Sequence, residues 1–309
     1  MTPFQSALDA AGPHARSIEN LWWFFLLLLG TIFLIVIALM FSALLRRRPA
    51  EERALSRSVT GGTIATILIL FVLIVVSVLT GKSISAPRAD SKPLIVDVIG
   101  NQWWWYFRYY NDDPSQMVVT ANELHVPVGR PVLIRGTSID VIHSFWAPNL
   151  QGKRDLIPSR VTDEYFTADR PGRFRGQCAE FCGLEHAKMA LWIMAETPQQ
   201  FDSWRKAQLQ PSVAPADPDK QRGLEVFLGH ACVFCHTIVG TPAQGQVGPD
   251  LTHLASRSTI AAGTLPNDKG HLAGWIADPQ RVKPGNYMAT VPLAAADMQP
   301  LVDYLESLQ

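Results

Sequence analysis

Two early stretches constrain this chain more than anything else in it. Leu21 to Leu45 is a run of 25 residues without a charge, and Ser58 to Gly81 is a second of 24. At about 1.5 Å of rise per residue, either run as a helix crosses a hydrocarbon core of about 30 Å. Helices buried in a soluble core seldom run so far without a polar face, and a secretory signal carries its basic flank before the apolar run, not after it. The sequence therefore predicts an outer N-terminal segment over residues 1–20 and a transmembrane helical hairpin over 21–81, with spans at 21–45 and 58–81. The short loop between the spans holds Arg46, Arg47, Arg48, Arg53 and Arg57, and basic residues in a short loop stay cytoplasmic. The N-terminus and everything after Gly81 then face outward. Trp22 and Trp23 fall at an interface, and Lys82 and Arg88 close the second span. The expected location is a bacterial inner membrane, with lipid around the spans and the remainder on the periplasmic side. Formal net charge is zero over 309 residues, so no bulk electrostatic attraction to nucleic acid exists.

Beyond the spans the period changes. Leu94–Ile99, Val132–Arg135 and Tyr165–Thr167 are short β-prone runs, punctuated by Gly129, Pro131, Gly152, Pro158, Pro171 and Gly172. Short strands between regular turn signals predict a β-sandwich or barrel over residues 90–207. A polar helical stretch, Pro198 to Leu209, comes next. The Pro- and Ala-rich segment Gln210–Pro218 has little to bury and reads as a linker, placed at 208–218. Residues 219–309 look helical. No internal repeat is visible.

The four cysteines fall into two tight pairs. In an exported chain two disulfides are the plain expectation, but the neighbours of each pair argue otherwise. Cys178 and Cys182 are followed by His186 and Met189, and His143 lies upstream on another strand. Soft sulfur and imidazole donors select copper or zinc over hard cations. Zinc needs only four donors in a closed tetrahedron. A fifth donor that is a thioether suits copper, where such a ligand tunes redox potential. Two thiolates four residues apart can each bridge two ions. The second pair is Cys232-Val-Phe-Cys235-His236, the attachment pattern of c-type haem. A thioredoxin-like reading lacks a βαβ context, and the adjacent histidine favours haem.

His143-Ser-Phe-Trp-Ala-Pro148 followed by Cys178-x-Glu180-x-Cys182-x-x-x-His186-x-x-Met189 resembles subunit II of cytochrome c oxidase with its CuA centre. Gly100-Asn-Gln-Trp-Trp-Trp105 and Arg154-Asp-Leu-Ile-Pro158 extend the resemblance, which runs from the first span to about Ala207. It implies a cupredoxin-like fold for the sandwich. It also implies a dinuclear copper centre held by His143, Cys178, Cys182, His186, Met189 and the backbone carbonyl of Glu180. The Glu180 side chain would reach a magnesium shared with the large catalytic subunit, and Trp103 would pass electrons to the coppers. Gly248-Pro-Asp-Leu251 and Lys283-Pro-Gly-Asn-Tyr-Met288 are similar to segments of class I cytochromes c. That likeness makes the C-terminal domain all-α, with His236 and Met288 as the axial pair and Met298 as a core residue. His230, His253 and His271 are then surface or outer-sphere residues, and His125 a strand residue without a metal.

The fused order resembles the caa-type oxidases. This resemblance implies a subunit that accepts electrons from cytochrome c through haem c and CuA. It would pass them to subunit I of a haem–copper oxidase, which reduces dioxygen to water with proton pumping alongside other oxidase subunits. The spans contain no histidine, so oxygen chemistry belongs to the partner. Gly61, Gly62 and Ala65 suit close helix packing. A tether also holds the haem domain at high local concentration while leaving it limited motion. The copper ligands exclude a quinol oxidase subunit. The CuA subunit of a nitric oxide reductase, or a stand-alone electron-transfer protein, remains compatible with the sequence. Two departures from the family stand out. No acid lies between Arg53 and Gly81 to start a proton path, leaving Glu51 and Glu52 as the nearest. Ser159 replaces the glycine of a Pro-Gly-Arg turn, a change expected to cost little if φ there is negative.

Overall fold

The computed structural model describes residues 5–45, 51–85 and 92–309. Arg46, Arg47, Arg48 and Arg88 lie outside the described residues. The chain divides into two compact units, residues 14–87 and residues 1–13 with 88–309.

The first unit is two long helices, α1 (Pro13–Leu45) and α2 (Glu52–Ser85). Both are long and apolar enough to cross a membrane. They run past the uncharged stretches because nothing flanking those stretches breaks a helix. Pro13 opens α1, where a missing N–H costs nothing, and Glu52 and Lys82 sit at the ends of α2 that favour their charge. Hydroxyls inside the apolar runs bond back one turn: Thr31 to the Leu27 carbonyl at 2.7 Å, Thr63 to Val59 at 2.9 Å and Ser77 to Leu73 at 2.7 Å. Each is thereby satisfied without water.

The second unit begins with a β-sandwich. Its strands are β1 (Leu94–Asn101), β2 (Trp104–Tyr109), β3 (Val118–Ala121), β4 (Glu123–Pro127), β5 (Val132–Ser138), β6 (His143–Trp146), β7 (Arg154–Leu156), β8 (Thr162–Phe166), β9 (Gly172–Cys178) and β10 (Ala190–Glu196). One sheet has the order β3-β2-β1-β5-β8 and the other β4-β10-β9-β6-β7. Each sheet contains one parallel pair, β1 with β5 and β4 with β10. Alternating side chains from both sheets fill the space between them. Val96, Val98, Trp105, Phe107 and Ile134 meet Leu124, Phe145, Phe174, Leu191 and Ile193. Full burial of each such side chain is worth about 1.5–3 kcal/mol. The segment before α1 is tied to this sandwich. The Ala11 N–H donates to the Asn149 carbonyl at 2.7 Å, and Arg170 pairs with Asp9 at 2.9 Å.

The turn Ile157–Arg160 closes with the Arg160 N–H on the Ile157 carbonyl at 3.2 Å. Ser159 there has φ +63°. The negative φ on which a small cost depended is not what the turn adopts, and the serine carries the left-handed strain that glycine would avoid.

α3 (Pro198–Gln208) starts at a capping box of Thr197 and Gln200. An extended segment then leads to α4 (Pro218–Gly229), α5 (Cys232–Cys235), α6 (Lys269–Ala277), α7 (Pro279–Val282) and α8 (Ala295–Leu305). Val226, Phe227, Ile238, Leu272, Leu301 and Tyr304 form a second core. This helical module packs against the sandwich. The buried Glu123 carboxylate on β4 accepts from the Ser258 N–H at 2.7 Å, from the Ser258 hydroxyl and from the Thr259 N–H at 3.1 Å. The Ala190 N–H donates to the Ala262 carbonyl at 3.0 Å, and Lys188 Nζ to the Val282 carbonyl at 2.6 Å. The composition of 208–218 suggests a loose tether, yet the arrangement here is packed.

Candidate metal centres

The loop from β9 to β10 carries both cysteines of the first pair. Its ends are fixed by sheet pairing: the Cys178 N–H donates to the Met189 carbonyl at 2.9 Å, and Ala190 faces Gln177. Strand β6 lies on the other side of β9, with Phe145 opposite Cys178. That neighbour delivers His143, 35 positions upstream of Cys178.

The thiols are free, with the sulfurs 3.7 Å apart, far beyond a disulfide bond. His143 Nδ1 is 3.8 Å from Cys178 Sγ, and the Glu180 carbonyl oxygen is 3.1 Å from it. His186 Nδ1 is 3.5 Å and Met189 Sδ 3.8 Å from Cys182 Sγ. Donors bound at about 2.0–2.3 Å to one ion in a tetrahedron stand about 3.3–3.8 Å apart. Four of the five spacings match such edges, and the Glu180 oxygen stands slightly closer. They also divide into two groups, one around each sulfur, so six donors suit two soft ions sharing both thiolates better than one ion. All six residues named from the sequence are thus brought together. The Glu180 side chain itself is exposed.

The surroundings hold this set in place. His143 is fully buried, and its Nε2 donates to Asp140 Oδ1 at 2.8 Å, leaving Nδ1 bare toward the sulfurs. Burial alone would raise the Asp140 pKa. Hydrogen bonds from His143 and from the N–H groups of Val141 and Gln102 outweigh it and hold the carboxylate below its usual range. A Cβ at Gly100 would stand 2.6 Å from His143 Cδ2, so only glycine lets the ring lie there. The contact between the two thiols has opposite effects on them. A hydrogen bond from Cys182 pulls Cys178 down to about 4, and the same contact pushes Cys182 well above the thiol range. Trp103 is 6% exposed, and its Nε1 donates to the Cys182 carbonyl at 2.9 Å. Gln102 Nε2 donates to that carbonyl at 2.7 Å. Sequence reasoning names Gly100 and Gln102 only as part of the aromatic segment, with no role, and does not name Asp140. Asp140 stands three residues before His143, the one local signal that could have marked it.

In the helical module, α5 holds Cys232 and Cys235 within one turn, both free, and His236 caps it with its N–H on the Cys232 carbonyl at 2.9 Å. His236 Nδ1 donates to the Pro249 carbonyl at 2.7 Å, so Nε2 is the bare nitrogen. Burial pulls its pKa down, keeping the imidazole neutral and able to bind a metal. Gly248 packs on this ring; a Cβ there would be 2.6 Å from Cε1. Met288 lies in the loop after α7, with Asn286 Oδ1 accepting from its N–H at 2.8 Å and Gln280 Nε2 bonding its carbonyl at 3.0 Å. Met298 packs against the core on α8. The buried His253 has neither ring nitrogen bonded, and Arg257 Nε likewise has no partner. Buried donors of this kind suit a prosthetic group that carries carboxylates, and they add to the fit of Cys232, Cys235 and His236 to haem. His125 stacks on Trp204 at 4.2 Å, away from either set.

A sandwich with this sulfur–imidazole loop, continuous with a helical module built for haem, defines a membrane-anchored electron-transfer chain of two redox modules. Residues 112–196 match the family model for the periplasmic domain of cytochrome c oxidase subunit II, and residues 221–309 match that for cytochrome c. The chain is 32% identical to cytochrome c oxidase subunit 2 of Alkalihalophilus pseudofirmus, over 78% of this chain and 70% of that one. It is 32% identical to the subunit of the same name from Bacillus sp. strain PS3, over 84% of this chain and 78% of the relative. A solved structure of the periplasmic domain of subunit II of cytochrome oxidase from Bradyrhizobium japonicum aligns over 40% of this chain and 95% of its own, at 31% identity and a TM-score of 0.36. The chain belongs to the cytochrome c oxidase subunit 2 family, in the form that carries a cytochrome c domain, and is part of a haem–copper oxidase.

Proposed function

We propose that this chain receives electrons for a membrane-bound terminal oxidase. Cytochrome c is the donor, haem c and a dinuclear CuA centre lie along the path, and the haem–copper subunit reduces dioxygen to water with proton pumping. The observation that carries this reading is the set of six donors gathered in two groups around sulfurs 3.7 Å apart. His143, Cys178, Glu180 through its carbonyl, Cys182, His186 and Met189 would hold the copper pair. Cys232 and Cys235 would attach the haem, with His236 and Met288 as its axial residues. When bound, both groups supply one-electron redox chemistry at little structural cost. The protein's part is to fix donors that do not move between redox states. Asp140 sets the His143 tautomer, the Pro249 carbonyl sets that of His236, and the buried sandwich keeps water from the sulfurs. Trp103, bonded to the Cys182 carbonyl, is the side chain through which electrons reach the coppers. The exposed Glu180 carboxylate is offered to a magnesium shared with subunit I.

The segment before α1 and the sandwich after α2 are bonded to each other. Two crossings return the chain to the side it started from, which supports one face for both. With Arg53 and Arg57 in the first two turns of α2, at its end nearest the connection to α1, that face is the periplasmic one of the inner membrane.

The test is metal and haem analysis of the purified complex, with oxygen uptake from reduced cytochrome c. Two coppers in this chain, one covalent haem and cyanide-sensitive uptake are expected. Both cofactors with nitric oxide consumption in place of oxygen uptake would keep the sites and replace the substrate. Absence of either cofactor would refute the reading.

A further inference from the structure

The loop that carries Met288 also forms the contact between the helical module and the copper-site face of the sandwich. Tyr287 stacks on Trp103, with ring centroids 5.8 Å apart and planes at 16°. Its hydroxyl donates to Gln102 Oε1 at 2.9 Å. Four residues earlier, Lys283 is 3% exposed and its Nζ donates to the Trp103 carbonyl at 2.8 Å. Gly285 of the same loop rests against Leu184, two residues past Cys182. Gln102 and Trp103, the two residues that Tyr287 touches, both donate to the Cys182 carbonyl.

One face of the loop therefore meets one face of the copper site. Two continuous routes join Tyr287 to Cys182: the stacked ring of Trp103 with its Nε1–H, and the amide of Gln102. At its other end Tyr287 is joined to Met288 by a single peptide bond. Electron tunnelling decays more slowly along bonds and packed rings than across open solvent, so a conjugated ring in this position couples its two neighbours. Trp103 is covered, whereas Tyr287 is 70% exposed. An outside donor cannot lie on Trp103 while this contact holds.

We propose that Tyr287 is the bridging residue between the haem module and the copper site, and that the Gln102–Trp103 face is reserved for this chain's own haem module. In the step, one electron lost by ferrous haem c is gained by the oxidised copper pair. Tyr287 and Trp103 couple the two while remaining closed-shell, and no bond or proton changes place. The inference rests on the cofactor assignment proposed above.

The experiment compares Tyr287→Leu and Tyr287→Phe in the purified complex. A ruthenium polypyridyl photoreductant injects an electron into haem c, and the appearance of reduced copper is timed. Copper and haem content, both midpoint potentials and hydrogen exchange of the 283–288 amides are measured on the same samples. With content, potentials and exchange unchanged, the leucine variant is expected to slow transfer measurably while phenylalanine restores it. A leucine variant as fast as the parent would overturn the proposal. So would a phenylalanine variant that fails as badly as leucine, since the ring would then not be what couples. A parent complex lacking copper or haem would instead overturn the cofactor assignment.

Discussion

Replacing Gly100 with alanine should cost the protein its copper without touching any donor. The new Cβ would lie 2.6 Å from His143 Cδ2, 2.9 Å from Cγ and 3.1 Å from Cβ. An ordinary contact begins at 3.4 Å, so the ring must move by about 0.8 Å in a core packed to crystal density. It has no room to do so freely, being fully buried and bonded through Nε2 to Asp140. Metal–donor distances tolerate errors of about 0.2 Å, so the displacement exceeds the tolerance several-fold. The crowding should cost about 1–3 kcal/mol of stability, and disturbing the shell of a ligating histidine typically lowers affinity roughly 10- to 100-fold. Copper per chain, measured at equilibrium with a competing chelator, reads the loss directly. The electron spin resonance signal should also lose equal hyperfine coupling to both coppers. Gly172→Ala is the control: its Cβ would meet the edge of Phe174 at 3.0 Å, far along the strand from any donor. If Gly100→Ala bound copper as tightly as the parent, with the parent's signal, the claim that the glycine seats His143 would be wrong.

Three further outcomes are expected. Ser159→Gly should stabilise the sandwich by about 0.5–1 kcal/mol, because relief of left-handed strain at φ +63° outweighs the added chain entropy; a thermal midpoint that fails to rise refutes this. Glu123→Ala leaves the N–H groups of Ser258 and Thr259 buried without an acceptor, at about 1–3 kcal/mol for each group. Protease should then cut the 210–217 segment faster than in the parent, and an equal rate would show that the carboxylate does not hold the modules together. Copper uptake by the metal-free chain should strengthen with pH. Cys178 is pulled down to about 4 while Cys182 is pushed above the thiol range, so at neutral pH the pair carries one proton that copper must displace. Affinity should rise about tenfold per pH unit, and a flat profile in chelator competition would mean both thiols are already ionised.

Much of this architecture is legible in the sequence because it is written locally. The spans show as uncharged runs, and five of the six copper donors lie on one loop within twelve residues of each other. The haem pattern is five consecutive residues. His143 is different: it lies 35 positions away from Cys178, and only its residue type and the family resemblance point to it. The pairing of β6 with β9 that brings it to Cys178 is a long-range choice that local propensity does not encode. The roles of Asp140 and Gly100 escape sequence reasoning on the same ground, since they exist only once His143 is placed. The packed junction between modules is also invisible there. The composition of 208–218 describes a tether, but Glu123, Lys283 and Tyr287 override it from positions far apart in the chain. The Ser159 turn shows the opposite failure, where the residue type points to negative φ and the turn imposes a positive one.

The short loop from Lys283 to Met288 has a consequence for how this family member can vary. It touches the sandwich through Lys283 and Tyr287, and the residue after Tyr287 is the proposed axial methionine. Two functions therefore share one length of chain. Inserting a single residue between Tyr287 and Met288 would move one of them by about 3.5 Å, so neither can drift without the other. Over evolutionary time this segment should tolerate changes of side chain but not of length.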